Sequence, residues 1–203
     1  MIRSLREPSL ADPSVSIRAL RLHRFLLRAA LAGAHIFAWL FIFQYVYLVE
    51  PSIAQAFART ALLYALSQIV TCLVTPYAAL SLRLGTRRSL IFATLALSCA
   101  FFLLGAAFEG IWSFAYLPAA IVIFAMLLGV YRALYWVPYE VEANAEGEHH
   151  RASPVAEFCI ALVPMVVGLF IAAVFTGPVW ILYIGAGVTL ISAVPLLYLR
   201  DIH

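Results

Sequence analysis

Lysine is absent from this sequence, and charge of any kind is scarce: 11% of the 203 residues are charged, against 65% hydrophobic. With a mean hydropathy of +1.00, the chain has too few polar groups to wet the surface of a soluble globule, which leaves a membrane protein. The net charge of +3 is carried by arginines that cluster at the ends of apolar segments and act as an orientation signal. A nucleic-acid partner is not expected, because a soluble basic face is missing. Cysteine is also sparse. Cys72, Cys99 and Cys159 all lie inside apolar runs, which argues against a disulfide framework or a zinc site, and no metal or cofactor is expected. No HExxH, no phosphate-cradling glycine loop and no nucleophile spaced to a base occur, so an enzyme or ATPase is not expected and energy would come from a gradient.

What is present in quantity is long apolar sequence. Six runs reach the roughly 20 residues that a spanning helix needs: 29–49, 60–82, 89–108, 117–139, 158–176 and 179–199. Punctuation separates them, including Glu50-Pro51-Ser52, Leu84-Gly85-Thr86, Glu109-Gly110 and Gly177-Pro178. The expectation is an all-α membrane protein of six transmembrane helices, flanked by a basic segment over 1–28 and a short tail over 200–203. The first 24 residues are too mixed and polar, and the apolar run after them too long, for a cleavable signal peptide. Within them, 14–24 predicts either an interfacial helix with Ile17, Leu20 and Leu22 on its apolar side or a disordered basic tail.

Arginines set the orientation. Arg3, Arg6, Arg18, Arg21, Arg24 and Arg28 precede the first run, Arg83, Arg87 and Arg88 follow the second, Arg151 follows the fourth and Arg200 the sixth, all on one side. The other side holds Arg59 with Glu50 and Glu109, so both termini are expected in the cytoplasm of a multi-pass protein of the cell membrane, with a bacterial inner membrane as the expected setting. The connection beginning at Glu140 is acidic and carries His149 and His150, but its spacing matches no metal site and predicts a solvated loop. Ala30, Ala34 and Ala38, and Gly185 with Thr189, form small-residue stripes suited to close helix packing.

One charge lies well inside an apolar run, and it is Arg132. Charge in hydrocarbon costs several kcal/mol, by contested estimates of roughly 3 to above 10, so such a residue is a candidate functional site. Its depth depends on where the fourth helix starts. From Trp112, Arg132 would lie roughly 30 Å along, at the interface; from Pro118, a natural first-turn residue, it lies inside the inner half of the bilayer. The apolar run through Tyr139 favours the second. Arg132, Trp136 and Glu140 recur at i, i+4, i+8 and share a face, where Trp136 is placed to stack on the guanidinium. Pro138 crowds the carbonyl of Leu134 and predicts a kink or a free carbonyl. Tyr135, His35, Gln44 and Gln68 are further polar candidates. His35 and Gln44 are nine residues apart, about 180° around a helix, so both cannot face one cavity squarely.

Six helices, a basic loop after the second and an arginine on the fourth resemble half of a major facilitator superfamily transporter. The segment Ala78 to Leu90, AALSLRLGTRRSL, is similar to that superfamily's Gly-x-Leu-Ala-Asp-Arg-x-Gly-Arg-Lys loop at Leu80, Arg83, Gly85 and Arg87, with Leu82 where the Asp would stand. Leu128-x-x-x-Arg132 is similar to the start of its Leu-x-x-x-Arg-x-x-Gln-Gly helix-four motif, with Tyr135 and Trp136 replacing Gln and Gly. The resemblance implies two inverted three-helix repeats, a gating role for Arg83, Gly85 and Arg87, and a cavity faced by the first and fourth helices. It also implies a secondary transporter of a small solute acting as a homodimer, or with a second six-helix chain, in the lipid bilayer. Arg132 would hold an anionic group or pair with Glu140 or Glu157. A non-transporting membrane scaffold of the same fold, or a truncated half of a twelve-helix transporter, are the alternatives.

Overall fold

The structure, a computed structural model, describes residues 13–82, 85–111, 113–145, 153–174 and 178–199. Every regular element among them is helical. Helix α1 (Pro13–Ala30) runs through one π-turn (Leu31–His35) directly into α2 (Ile36–Val49), and α3 spans Ile53–Ser81. Helix α4 covers Thr86–Glu109, a 3-10 turn at Phe114–Tyr116 leads into α5 (Leu117–Ala145), and α6 (Pro154–Val174) and α7 (Pro178–Leu196) follow. Five stretches, Val15–Val49, Ile53–Leu80, Thr86–Glu109, Phe114–Ala145 and Val179–Leu196, are long and apolar enough to cross a membrane.

The helices outrun the apolar runs because hydropathy marks the hydrocarbon-facing part of a helix, whereas hydrogen bonding continues until a breaker appears. Residues 13–28 are accordingly the first half of a single long helix instead of a separate interfacial one. Pro13 suits a helix start, Ile17, Leu20 and Leu27 are buried, and α1 packs along α7. Leu22, expected on the same apolar side, is 51% exposed. At the other end of the chain's polar stretch, Glu140 and Glu142 belong to α5 and not to a loop. His149 and His150 lie outside the described residues.

Two glycines adopt φ values that side chains avoid. Gly85 (φ 103°) precedes α4, and Gly110 (φ 78°) ends it as a left-handed C-cap whose N–H donates to the Ala107 carbonyl. Helix α4 is the centre of the bundle, packed on α5 on one side and α7 on the other. Leu97, Phe101 and Leu104 interlock with Phe124 and Leu128 of α5, Leu182 of α7 and Ile42 of α2.

Helix α3 is held differently. Its fully buried residues are Ala56, Ser67 and Ala78, three small side chains eleven positions apart, which is a straight seam of three helical turns. Along that seam it packs on α5, and Leu62, Leu73 and Tyr77 face outward. Small side chains let backbones approach, and close packing is what joins helices in lipid, where hydrophobic burial adds little. The alanine stripe does the same work on the other side. A Cβ built on Gly185 would lie 2.1 Å from the Ala34 Cβ, and one on Gly168 of α6 would lie 2.6 Å from the Ala29 carbonyl oxygen, so α6 and α7 grip the chain at the π-turn.

Candidate functional site around Arg132

Arg132 lies fifteen residues after the first residue of α5 and thirteen before its last. Its partner Ser67 is at the midpoint of α3, fourteen residues from either end. At about 1.5 Å per residue, the guanidinium attaches about 20 Å from both ends of its helix. Helix α5 starts at Leu117 with Pro118 in its first turn, directly after the 3-10 turn at Phe114–Tyr116; Trp112 lies outside the described residues.

The α3–α5 crossing places the arginine. Gly129, one turn before it, sits against the Ser67 backbone, where a Cβ would come 2.5 Å from the carbonyl oxygen. The Thr71 hydroxyl donates to the carbonyls of Ser67 (2.8 Å) and Gly129 (3.2 Å), clasping the two helices. Beside this clasp, Arg132 Nη1 donates to Ser67 Oγ at 3.3 Å, and Ser67 Oγ donates to the Tyr64 carbonyl at 2.7 Å. The guanidinium carbon stands 5.2 Å from the centre of the Tyr64 ring, within cation–π range.

Tyr64 links this group to α2. Its ring meets Trp39 edge-on at 5.5 Å, and Trp39 meets Phe124 of α5 at 5.7 Å. The Trp39 indole Nε1–H donates to His35 Nε2 at 3.2 Å. His35 closes the π-turn. Arg132, His35 and Trp39 are half-buried and Tyr64 is exposed, so the cluster opens on one side of the bundle. Among the described residues, no carboxylate lies within ion-pair distance of Arg132.

The structure therefore links Arg132 to His35 through Tyr64 and Trp39 and separates other candidates from them. The ring facing the guanidinium is Tyr64, not Trp136, which is 55% exposed and touches Tyr135 and Tyr139 instead. Glu140 is exposed, two turns further along α5, about 12 Å away along the axis. Tyr135 points into the bundle, buried in a ladder with Tyr131 and Tyr139 (centroids 5.3 and 5.4 Å) and facing His23 at 5.7 Å. Gln44 lines a separate cavity of about 270 Å³ with Phe41, Tyr45, Phe108 and Phe114. Gln68 follows Ser67 on α3, half-buried and turned away from its side of the helix. Gly85 shapes the turn before α4 and Arg87 stands in its first turn; Arg83 and the Glu157 side chain lie outside the described residues.

Two features escaped the sequence reading. Thr86 Oγ1 donates to Glu142 Oε2 at 2.5 Å, both residues fully buried, which ties the start of α4 to the end of α5. A carboxylate there also meets the positive end of the α4 dipole. His23, inside the segment expected at the membrane surface, is buried with Nδ1–H donating to the Ser192 carbonyl at 2.6 Å. Its signal was available: His23 shares a helical stripe with Ile17, Leu20 and Leu27, which Arg21, Arg24 and Arg28 border and from which Arg18 points away. The carbonyl that Pro138 displaces behaves as its position implies, with Leu134 O accepting from Ser89 Oγ at 3.2 Å.

Fold and site together define an all-helical membrane protein with a cationic side chain near the middle of its helices. Comparison with protein families, characterised proteins and solved structures finds no match to this chain.

Proposed function

We propose that this chain is a facilitator-type secondary transporter for a small anionic solute, built as a six-span half and working as a homodimer or with a second six-helix chain. The observation that carries this reading is Arg132: a guanidinium at mid-helix, held by Ser67 and Tyr64, with no carboxylate at ion-pair distance among the described residues. An uncompensated cation in that position costs several kcal/mol, and an anionic ligand offsets that cost. The half-exposure of the cluster supports a site completed by a second six-helix unit, since one half supplies only one wall of a central cavity. In this reading α6 is the sixth span, the inverted repeats relate α1–α4 to α5–α7, and both termini face the cytoplasm.

The experiment is uptake of radiolabelled anions into proteoliposomes by the parent and by Arg132→Ala. Loss of uptake in the variant, with the parent's elution profile in detergent, supports the reading. Equal uptake removes Arg132 from the site. A parent that transports nothing and shows no stabilisation by any anion points to a membrane scaffold.

A further inference from the structure

We infer that the groove between the first half of α1 and the end of α7 seats one anionic phospholipid, with an acyl chain laid along it and the phosphate held by Arg18. Both walls follow from the sequence. On α1, Val15, Arg18, Ala19 and Leu22 recur at i, i+3, i+4, i+7 and share a face. Opposite them stand Val194 and Pro195 of α7 and Tyr198 just past its end, and the groove between the two walls measures about 460 Å³. Pro195 withholds an N–H from the last turn of α7, and the chain closes in three-residue turns. Leu197, Tyr198 and Leu199 donate to the carbonyls of Val194, Pro195 and Leu196 at 3.1, 3.0 and 3.1 Å, which leaves Leu196 and Leu199 buried and Tyr198 on the outside.

Val15, Leu22, Val194 and Tyr198 are exposed, so the groove presents apolar walls that suit an acyl chain and give the outward-facing Leu22 a partner. Arg18, exposed on the same face, is the one charged residue among those lining it. Its planar fork of donors matches a phosphate, and Tyr198 adds a hydroxyl on a ring suited to the headgroup level. A free anion would leave the apolar walls bare, and a hydrocarbon chain alone would not use the guanidinium. Net headgroup charge is decided by the surroundings. Arg24 stands 5.8 Å from the Tyr139 ring near the end of α5, and Thr86, bonded to Glu142 at that same end, is followed by Arg87 and Arg88. A zwitterionic headgroup would bring its ammonium into this cationic field, whereas an anionic one brings only negative charge. In the orientation that these arginines favour, this end meets the cytoplasmic leaflet, whose anionic lipids give it its negative potential. The groove lies on the α1–α7 side of the bundle and Arg132 on the α3–α5 side, so the lipid seat stands whether or not the chain transports.

The test uses the full chain in detergent, titrated with phosphatidylglycerol, phosphatidylcholine of the same chains and inorganic phosphate, with bound molecules counted by native mass spectrometry. The parent is expected to retain one phosphatidylglycerol roughly fivefold more tightly than phosphatidylcholine, the gain of one arginine at an anionic surface. Equal retention of the two lipids overturns the assignment, and so does inorganic phosphate that competes as well as the lipid. Arg18→Gln should bring the two lipids within about twofold of each other, while Arg88→Gln, at an exposed position on the same end, should keep the preference. Equal losses in both variants would mean a diffuse surface field and no seat at Arg18. Val194→Trp, at a half-exposed position on the groove wall, fills the space without entering the core and should weaken both lipids roughly tenfold. Unchanged binding by that variant, with the parent's elution profile, places the acyl chain elsewhere and overturns the groove.

Discussion

Gly129 and Ser67 meet so closely that a single methyl group on Gly129 would lie 2.5 Å from the Ser67 carbonyl oxygen, with Val70 side-chain atoms at 2.8 and 2.9 Å. The same crossing supplies Arg132 with its acceptor, so the packing and the site are one device. Gly129→Ala should destabilise the protein by about 1–3 kcal/mol through overpacking. Ser67→Ala, which deletes only the hydroxyl, should cost about 0.5–1.5 kcal/mol. Thermal unfolding in detergent checks the order, and a larger loss for the serine variant would refute this account of the crossing.

Tyr64 offers its ring face to Arg132. Tyr64→Phe keeps that face and should leave anion affinity within about twofold, whereas Tyr64→Leu should lower the stability of the arginine-bearing site by about 0.5–2 kcal/mol. Melting temperatures of both variants in the parent and Arg132→Gln backgrounds separate the cation–π part. If the tyrosine-to-leucine cost is the same with and without the arginine, the ring serves only as packing.

Ala34 and Gly185 test the grip on the π-turn. Gly185→Ala alone drives one Cβ into another, while Ala34→Gly in the same chain vacates that space, leaving the Ala34 Cα at 3.5 Å. The double variant should recover part of the loss, with a coupling of about 0.5–3 kcal/mol. Additive losses would mean that α7 simply shifts away.

The Thr86–Glu142 hydrogen bond should matter more than its position near a helix end suggests, because both groups are buried. Thr86→Val keeps the shape and removes the donor, at a cost of about 1–3 kcal/mol. Thr86→Ser should stay within about 0.5 kcal/mol of the parent. Equal melting temperatures for the valine and serine variants would show that the bond contributes nothing.

Much of the architecture was legible along the chain. The apolar runs, the turn glycines and Pro118 mark where helices lie, since hydropathy and backbone preference are local sums over neighbouring residues. Arg132 stood out for the same reason. Less legible was where helices begin: α1 and α3 extend well before their apolar runs, because Arg18 and Arg59 are tolerated on exposed helical faces, and Arg59 pairs with Glu50. The i, i+4 rule placed Trp136 beside Arg132 on α5, but the guanidinium found a ring on α3 instead, which no spacing within α5 could reveal.

By itself, the sequence determined that this is a helical membrane protein, where its apolar runs lie, and that one arginine sits deep inside one of them, because each of these follows from the solvent preference of contiguous residues. The tertiary structure alone decided what surrounds that arginine. Ser67 and Tyr64 come from a helix about 65 positions away, and Trp39 and His35 from one further still. Their meeting depends on where small residues let backbones touch and on how one π-turn rotates α2 relative to α1. Gln44, with the same polar credentials as His35, was turned toward a different cavity by that geometry.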